Sequence, residues 1–249
     1  MTRVVWSVWL PLAALAAWQA AAMAGLASPL FAPAPTLLAR SAAEMVRSGE
    51  LPASIAATLA RTAGGFAIGS AIGLAAGLLM GSLRAAFRSF DPILSALNAT
   101  PKLILLPLLL IVLGVGEPAR LTLIALTALV VVAIHTADAI HHVRPAWVEL
   151  AVNYGADRRA LVRHVYLPAC LPQVFTGLRL ALGNALVIAV SCELVSPSTG
   201  LGSVIWLAWQ TFSIDRLYIA ILTTAALGAG LHGALRLAER RLLPWKAGD

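Results

Sequence analysis

Long apolar runs separated by short polar segments divide this chain. A membrane-spanning helix needs about 20 mostly apolar residues, and most of the runs approach that length. The pattern predicts an all-α membrane protein with about six transmembrane helices, because helices satisfy every backbone hydrogen bond within lipid. The predicted spans are Val4–Ala27, Thr62–Leu83, Leu103–Val115, Ala119–Ala137, Leu178–Val195 and Leu217–Leu237.

The third run, Leu103–Val115, has only about 13 residues and is too short for a straight span. Extending it back to Ser95 gives enough length but brings Pro101 and Lys102 into the helix. We therefore expect a broken or irregular helix here. Such backbone is tolerated at membrane depth only where it is buried in protein or lines a cavity.

The first run also has an alternative interpretation, a cleaved signal peptide, since Ala22-Met23-Ala24 resembles a cleavage site. Its apolar stretch is longer than the roughly 7–15 residues typical of a signal peptide, which favours a retained helix. The polar and apolar mixture after Pro35 predicts an interfacial helix. The predicted segments are an N-terminal transmembrane helix (1–27), an extracytoplasmic or interfacial segment (28–60), a core with five spans (61–240) that includes a loop (144–172), and a cytoplasmic tail (241–249).

Composition supports the membrane interpretation. The chain is 60% hydrophobic and 12% charged, far from the soluble average, and carries a net charge of +7. Basic residues gather on the cytoplasmic side of membrane proteins. With both termini inside, the inner side holds Arg3, Arg84, Arg88, Lys102, Arg144, Arg158, Arg159, Arg163, Arg179, Arg236, Arg240, Arg241 and Lys246, and the outer side Arg40, Arg47, Arg61, Arg120 and Arg216. This asymmetry predicts cytoplasmic termini, and the net charge does not indicate nucleic-acid binding.

Glycines recur every fourth residue through the second predicted span. Glycine at this spacing forms a smooth stripe on which another helix backbone can approach closely. The stripe predicts either tight packing within the chain or a self-association face, and the sequence does not separate the two. Its members are Gly65, Gly69, Gly73, Gly77 and Gly81.

The segment 149–172, between spans four and five, predicts a helix, a break and a second helix. Gly155 can supply the left-handed conformation that a break requires. Asp157 can cap the second helix by accepting from its exposed backbone N–H groups. Pro168 is expected to end that second helix, because proline lacks an N–H and restricts the residue before it. A compact basic element of this kind, on the cytoplasmic side, is typical of a docking site.

Catalytic chemistry is not indicated. The phosphate-binding loop of many ATPases needs a Gly-Lys-Ser/Thr sequence, and the two lysines, Lys102 and Lys246, follow Pro101 and Trp245 instead. The serines near the end of span five lack a matched histidine or a Gly-x-Ser-x-Gly turn. We therefore predict that the chain is not an enzyme and holds no cofactor or metal.

Ionisable residues inside apolar runs are candidates for function by default. Glu193 is expected to face either a water-filled pathway or a buried polar partner, and both alternatives stay open. His232 in span six indicates either a polar group that faces the helix bundle or a second pathway candidate. Four residues at the end of span four have helical spacing, which indicates either a polar helix end or a metal or proton site: His135, Asp138, His141 and His142.

The loop resembles the "EAA" loop of ATP-binding-cassette (ABC) importer permeases. That pattern is Glu-Ala-Ala, then glycine, then a hydrophobic-x-Leu-Pro sequence, and it corresponds here to 149–151, Gly155 and 165–168, with Leu150 in place of the middle alanine. The flanks resemble the nitrate/sulfonate/taurine permease subfamily, although Asp138 stands where that family often has an uncharged residue. The flanking matches are Arg61, Gly65, Phe66, Gly69, Gly73, Asp91, Pro92, Pro101, Pro107, Leu108, Gly114, Gly116, Glu117, Gly200, Leu201 and Gly202.

The resemblance implies a type I ABC importer permease fold in a bacterial inner membrane. It implies three partners besides the bilayer: a separate ATPase subunit that uses ATP and Mg²⁺, a second permease copy, and an extracytoplasmic solute-binding protein. The solute would be small and usually anionic. The residues that it assigns to ATPase coupling are Glu149, Leu150, Ala151, Tyr154, Gly155, Ala156, Asp157, Arg158, Leu167 and Pro168.

Two other classes of function compete with this interpretation. A stand-alone proton-coupled secondary transporter would use the ionisable groups of spans four and five and should show inverted repeats, which the sequence lacks. A membrane scaffold or receptor would need a further soluble domain.

Overall fold

The computed structural model describes residues 2–25, 28 and 31–244, with only the backbone of residues 2–8, 11, 12 and 158. All regular elements in these residues are helical. They are α1 (Thr2–Met23), α2 (Pro35–Arg47), α3 (Glu50–Ser82), α4 (Arg84–Ala99), a 3-10 turn (Lys102–Leu105), α5 (Leu106–Leu113), α6 (Glu117–His141), α7 (Pro145–Asn153), α8 (Arg158–Leu161), a π turn (Val162–Tyr166), α9 (Leu167–Val195), α10 (Leu201–Gln210) and α11 (Ile214–Leu242).

Four helices in the described part of the chain are long and apolar enough to cross a membrane, and a bent pair makes a possible fifth. The four are Glu50–Ser82, Glu117–His141, Arg159–Val195 and Ile214–Leu242. The first predicted span corresponds to α1, within which Ala13–Met23 forms a shorter apolar helix. The end of that prediction, residues 26 and 27, lies outside the described residues. The all-α membrane fold predicted from the sequence is thus confirmed.

The predicted break in the third span is confirmed. α4 and the helical segment Lys102–Leu113 meet at an angle of 95°. The bend falls at Thr100 and Pro101, whose backbones are extended. Extended backbone is expected at a residue that precedes proline, because the proline ring clashes with a helical neighbour.

Two helices begin well before the spans predicted within them. α3 begins at Glu50 rather than at Thr62, because Gly49 (φ +80°) ends the preceding helical segment and a new helix starts directly after it. The helix that contains the fifth predicted span begins well before Leu178, since α9 starts at Leu167. The polar stretch that was assigned to an interfacial helix therefore divides between α2 and the first turns of α3.

The prediction that Pro168 ends a helix was wrong. The helix runs from Arg159 to Val195 without interruption. Proline normally breaks a helix through its missing N–H and the clash of its ring with the carbonyl four residues earlier. Here the π turn precedes Pro168, and the Leu167 N–H donates to Val162 O, five residues back. This bond spans one residue more than an α-helical bond, and the helix continues through Pro168 after this π turn.

The described chain divides into two units. The first comprises Met1–Thr58 and Glu193–Leu227. Its apolar core comes from one face of α2 with parts of α3, α10 and α11, and consists of Leu38, Met45, Leu51, Leu201, Val204, Ile219 and Ala220. Trp18 of α1 packs on Tyr218 of α11, with ring centroids 5.7 Å apart.

The second unit comprises Leu59–Cys192 and Gly228–Asp249. α6 is its central helix, since α3, α4, α5 and α9 all contribute side chains to the apolar clusters around it. Small residues of α9, such as Ala181, Ala185 and Ala189, are fully buried in these clusters. Close packing through small side chains is typical of helices that associate in a membrane.

Candidate functional site

The short helix α7 ends in a Schellman turn. The Gly155 N–H donates to Val152 O at 2.9 Å, and the Ala156 N–H donates to Ala151 O at 3.0 Å. Gly155 has φ +81°, the left-handed conformation that this turn requires and that the sequence predicted. At the other end of α7, Pro145 occupies the first turn, where its missing N–H costs nothing. Residues at or next to the two ends of α7 therefore determine where this helix begins and ends.

Asp157 caps the helix that follows. Its Oδ1 accepts from the Ala160 N–H at 2.7 Å, as the sequence predicted. The capped turn of α8 leads through the π turn into α9, so that α7 is followed after only a few residues by a continuous long helix. The turn and the cap together fix the direction of α7 relative to the start of α9.

An apolar groove of about 470 Å³ lies between α7 and the start of α9. Several of its side chains are exposed although they are large and apolar; Tyr154 is 86% exposed. Arg144 lies over the Trp147 ring, 5.4 Å from its centroid. The groove residues are Trp147, Leu150, Ala151, Tyr154, His164, Val165, Pro168 and Ala169. An exposed apolar surface with polar residues at its edge is typical of a protein interaction site.

The structure brings most of the predicted coupling residues to this groove or its turn. Leu150, Ala151, Tyr154 and Pro168 line the groove. Gly155, Ala156 and Asp157 form the turn, and Glu149 and Leu167 are exposed beside it.

The predicted coupling set left out four groove residues, Trp147, His164, Val165 and Ala169, although Val165 belongs to the loop motif. The spacing of 147, 150, 151 and 154, which is the stripe of an amphipathic helix, could have found the first of them.

The glycine stripe of α3 lies directly against α6. A Cβ added to Gly69 would overlap the carbonyl oxygen of Ala125, and one added to Gly77 would lie 2.5 Å from Thr136 Cβ. Contacts this short mean that the two backbones touch. The stripe therefore packs against another helix of the same chain, which was the alternative to a self-association face.

A charged cluster joins the start of α6 to α3. Glu117 accepts from Arg61 Nε at 2.8 Å and Nη2 at 2.7 Å, and from Arg120 Nη1 at 3.0 Å. Both arginine side chains are buried, whereas Glu117 is about half exposed. A bidentate arginine–carboxylate pair is among the stronger ion pairs in proteins. Sequence reasoning counted the two arginines as outer-side charges and named Arg61 and Glu117 as family matches, but it missed the pair.

Of the two pathway candidates, Glu193 is fully buried. Its carboxylate accepts from Thr58 Oγ1 at 2.9 and 3.0 Å and from the Gly202 N–H at 2.9 Å. The described contacts thus give Glu193 buried polar partners, which was the alternative to a water-filled pathway. His232 lies on an exposed position of α11, its ring close to Gly183 and its Nδ1 3.0 Å from Gly228 O.

The four ionisable residues at the end of α6 do not converge on one point. His135 Nδ1 bonds to Val131 O at 2.8 Å, and His142 Nδ1 bonds to Asp138 O at 2.7 Å. The His141 ring makes an edge contact with Phe87. Among the described residues, no group of three His, Cys, Asp or Glu side chains is arranged to hold a metal ion. These contacts are those of a polar helix end.

Comparison with known proteins identifies relatives along most of the chain. Residues 69–244 match the family described as binding-protein-dependent transport system inner membrane component. The putative aliphatic sulfonates transport permease protein SsuC of Escherichia coli (strain K12) is 33% identical over 236 residues, which are 95% of this chain and 90% of that protein.

Two further relatives cover less of the chain. The taurine transport system permease protein TauC of Escherichia coli (strain K12) is 33% identical over 62% of this chain and 56% of its own. The riboflavin transport system permease protein RibX of Chloroflexus aurantiacus is 32% identical over 64% of this chain and 60% of its own.

Among solved structures, the chain resembles that of an amino acid ABC transporter with histidines. The TM-score is 0.66 over 80% of this chain and 97% of that one, at 20% sequence identity. This likeness confirms the predicted fold, that of type I ABC importer permeases.

Proposed function

The chain belongs to the family of binding-protein-dependent transport system inner membrane components, and we propose that it is the transmembrane permease subunit of an ATP-driven importer for a small, anionic solute. Its family is a transport component rather than a catalytic one. The proposal assigns ATP hydrolysis, with ATP and Mg²⁺, to a separate ATPase subunit. A second copy of this permease and an extracytoplasmic solute-binding protein complete the assembly.

The single observation that carries the proposal is the exposed apolar groove on α7. The groove lies on a short helix between two spans, α6 and α9, where no lipid-spanning role explains its apolar side chains. A groove of this kind suits an apolar or helical surface of a partner protein. We assign it to the ATPase subunit.

The geometry around α7 suits the transmission of movement. α6 ends at His141, and α7 begins only a few residues later. On the other side, the Schellman turn and the Asp157 cap join α7 to the helix that becomes α9. Displacement of α7 by the ATPase would therefore move the ends of both spans, as in rigid-body switching.

The proposed orientation follows the distribution of lysine and arginine. Both termini and α7 lie in the cytoplasm, and the turn before α10 lies outside. The membrane is then the bacterial inner membrane, in which the chain is a multi-pass protein.

The solute class is proposed from a relative that matches nearly the whole chain. That protein is named for aliphatic sulfonates, and its match extends over 95% of this chain. The riboflavin permease matches a smaller part, 64% of the chain. Because the sulfonate permease matches more of this chain than the riboflavin permease does, we propose a sulfonate or a similar small anion as the solute.

Docking can be tested by truncating the most exposed groove residue. Tyr154→Ala removes a large ring that is 86% exposed, and we expect it to weaken ATPase binding about tenfold or more, as for a central interface residue. Binding of the ATPase to the permease in nanodiscs measures this effect. Val152→Ala is the matched control, because Val152 is also exposed on α7 but lies outside the groove. Equal ATPase binding by the two variants would contradict the docking assignment.

A further inference from the structure

Glu193 is held in a polar cluster whose members lie far apart along the sequence. We call the cluster of Thr58, Glu193, Leu201 and Gly202 the Glu193 clamp. It joins α3, the last turn of α9 and the first turn of α10 within the first unit. All four residues are buried. A buried carboxylate is costly unless hydrogen bonds satisfy it, and in this cluster they do.

The hydroxyl of Thr58 is the centre of the clamp. It donates to the Glu193 carboxylate, and it accepts from the Leu201 N–H at 2.9 Å. A threonine hydroxyl offers one donor and two acceptor positions, so both of its functions are used here. Loss of this one oxygen would remove a donor from the carboxylate and an acceptor from the first turn of α10.

The carboxylate of Glu193 caps α10 from another helix. The N-cap residue Gly200 has no side chain of its own, and the Gly202 N–H donates to Glu193 Oε2 instead. A negative charge at this position also complements the helix dipole. Gly200 has φ +134°, and a Cβ there would overlap the carboxylate. Glycine at 200 thus permits both the turn and the approach of Glu193.

Two further bonds fasten the same turn. Ser203 Oγ donates to Glu193 O at 3.3 Å, and the Ser198 N–H donates to Ser203 Oγ at 3.0 Å. The turn before α10 is therefore tied to the end of α9 by backbone and side-chain contacts. These contacts hold α10 to α9 and α3 more firmly than the chain connection alone.

We propose that Glu193 is a positioning residue of the transport cycle rather than a solute ligand. Through the clamp, α10 and the turn before it move together with the end of α9. The first residues of α9 line the α7 groove. A fully buried carboxylate with hydrogen-bonded oxygens is poorly suited to contact a solute, and it would repel an anion. The inference rests on the proposed importer function, since it assigns the clamp a role in coupled uptake.

The test compares Thr58→Val with Thr58→Ser in the complete complex with ATPase and binding protein, in nanodiscs and proteoliposomes. Valine keeps the shape of threonine but lacks the hydroxyl, whereas serine keeps the hydroxyl. Hydrogen exchange of residues 196–204 measures the clamp directly, because exchange reports local opening. Thr58→Val should speed this exchange about tenfold or more, as expected for buried groups that lose a partner. Thr58→Ser should stay close to wild type.

Transport provides the second readout. At equal amounts of assembled complex, Thr58→Val should hydrolyse ATP at a near-normal basal rate but import fewer ethanesulfonate molecules per ATP, and Thr58→Ser should restore the ratio. A merely structural bond would not change this ratio in assembled complex. If Thr58→Val fails to assemble, Glu193→Gln replaces it, because an amide group keeps the shape but cannot accept on both sides.

The outcomes separate the inference from the function on which it rests. Faster exchange and a lower uptake ratio in Thr58→Val, or in Glu193→Gln, support the clamp. Wild-type exchange in the variant, or faster exchange with an unchanged ratio, overturns its role in coupling. A wild-type complex that protects residues 196–204 but imports nothing from a panel of small anions overturns the proposed function itself, and the role in coupling with it.

Discussion

Gly155→Pro is expected to abolish ATP-driven uptake while the chain still inserts into the membrane. Gly155 has φ +81°, and proline is fixed near φ −65°, so the Schellman turn cannot form. The substitution also removes the N–H that donates to Val152 O. Both effects change the direction in which α7 leaves the turn, and we expect at least about a hundredfold loss of uptake, the equivalent of about 3 kcal/mol. Uptake into proteoliposomes, normalised to inserted protein, measures it.

Gly155→Asn is the control for this prediction. No atom lies within 4 Å of a Cβ placed on Gly155, so added volume alone has no effect. Asparagine tolerates the left-handed conformation better than other residues and keeps the N–H. It should retain most of the uptake. Normal uptake by Gly155→Pro would show that α7 does not need this turn, and would contradict the coupling role of the loop.

Gly69→Ala is expected to destabilise the folded chain more than any other alanine in the glycine stripe. Its new Cβ would overlap the carbonyl of Ala125, a backbone atom that cannot rotate away. α3 and α6 would have to separate along their contact. Overpacking of this kind costs typically about 1–3 kcal/mol, and a rigid backbone neighbour places this site at the upper end. The midpoint of thermal unfolding in detergent should fall by several degrees.

Gly64→Ala provides the matched comparison, five residues away on the same helix. A Cβ there meets only a side-chain atom of Leu121 at 3.6 Å, an ordinary contact. Its unfolding midpoint should lie close to that of wild type. If the two variants unfold at the same temperature, the stripe is not the contact between α3 and α6.

Local signals explain what the sequence could predict. The bend near Pro101, the left-handed Gly155 and the Asp157 cap each depend on a residue type that restricts its own backbone or bonds to a near neighbour. The candidate docking site could be located for the same reason, since Gly155 ends its short helix. The start of that helix at Pro145, before the predicted Glu149, was missed. Its outline was also incomplete, because the start of α9 contributes to the groove.

Long-range contacts explain what the sequence could not predict. The partner of Glu193 is Thr58, 135 positions away, and the partner of Glu117 is Arg61, on another helix. The prediction at Pro168 was wrong, because a π turn precedes this proline and the helix continues through it. α10 was missed because its apolar residues are too few for a span and follow the turn sequence directly.

The most direct test of the account is uptake by the reconstituted chain with and without its ATPase subunit. Proteoliposomes containing the permease, the ATPase and the solute-binding protein are given ATP and radiolabelled taurine, ethanesulfonate or nitrate. The account predicts that at least one of these anions accumulates only when both the ATPase and ATP are present. Accumulation by the permease alone, driven by a proton gradient, would contradict it and would favour a secondary transporter.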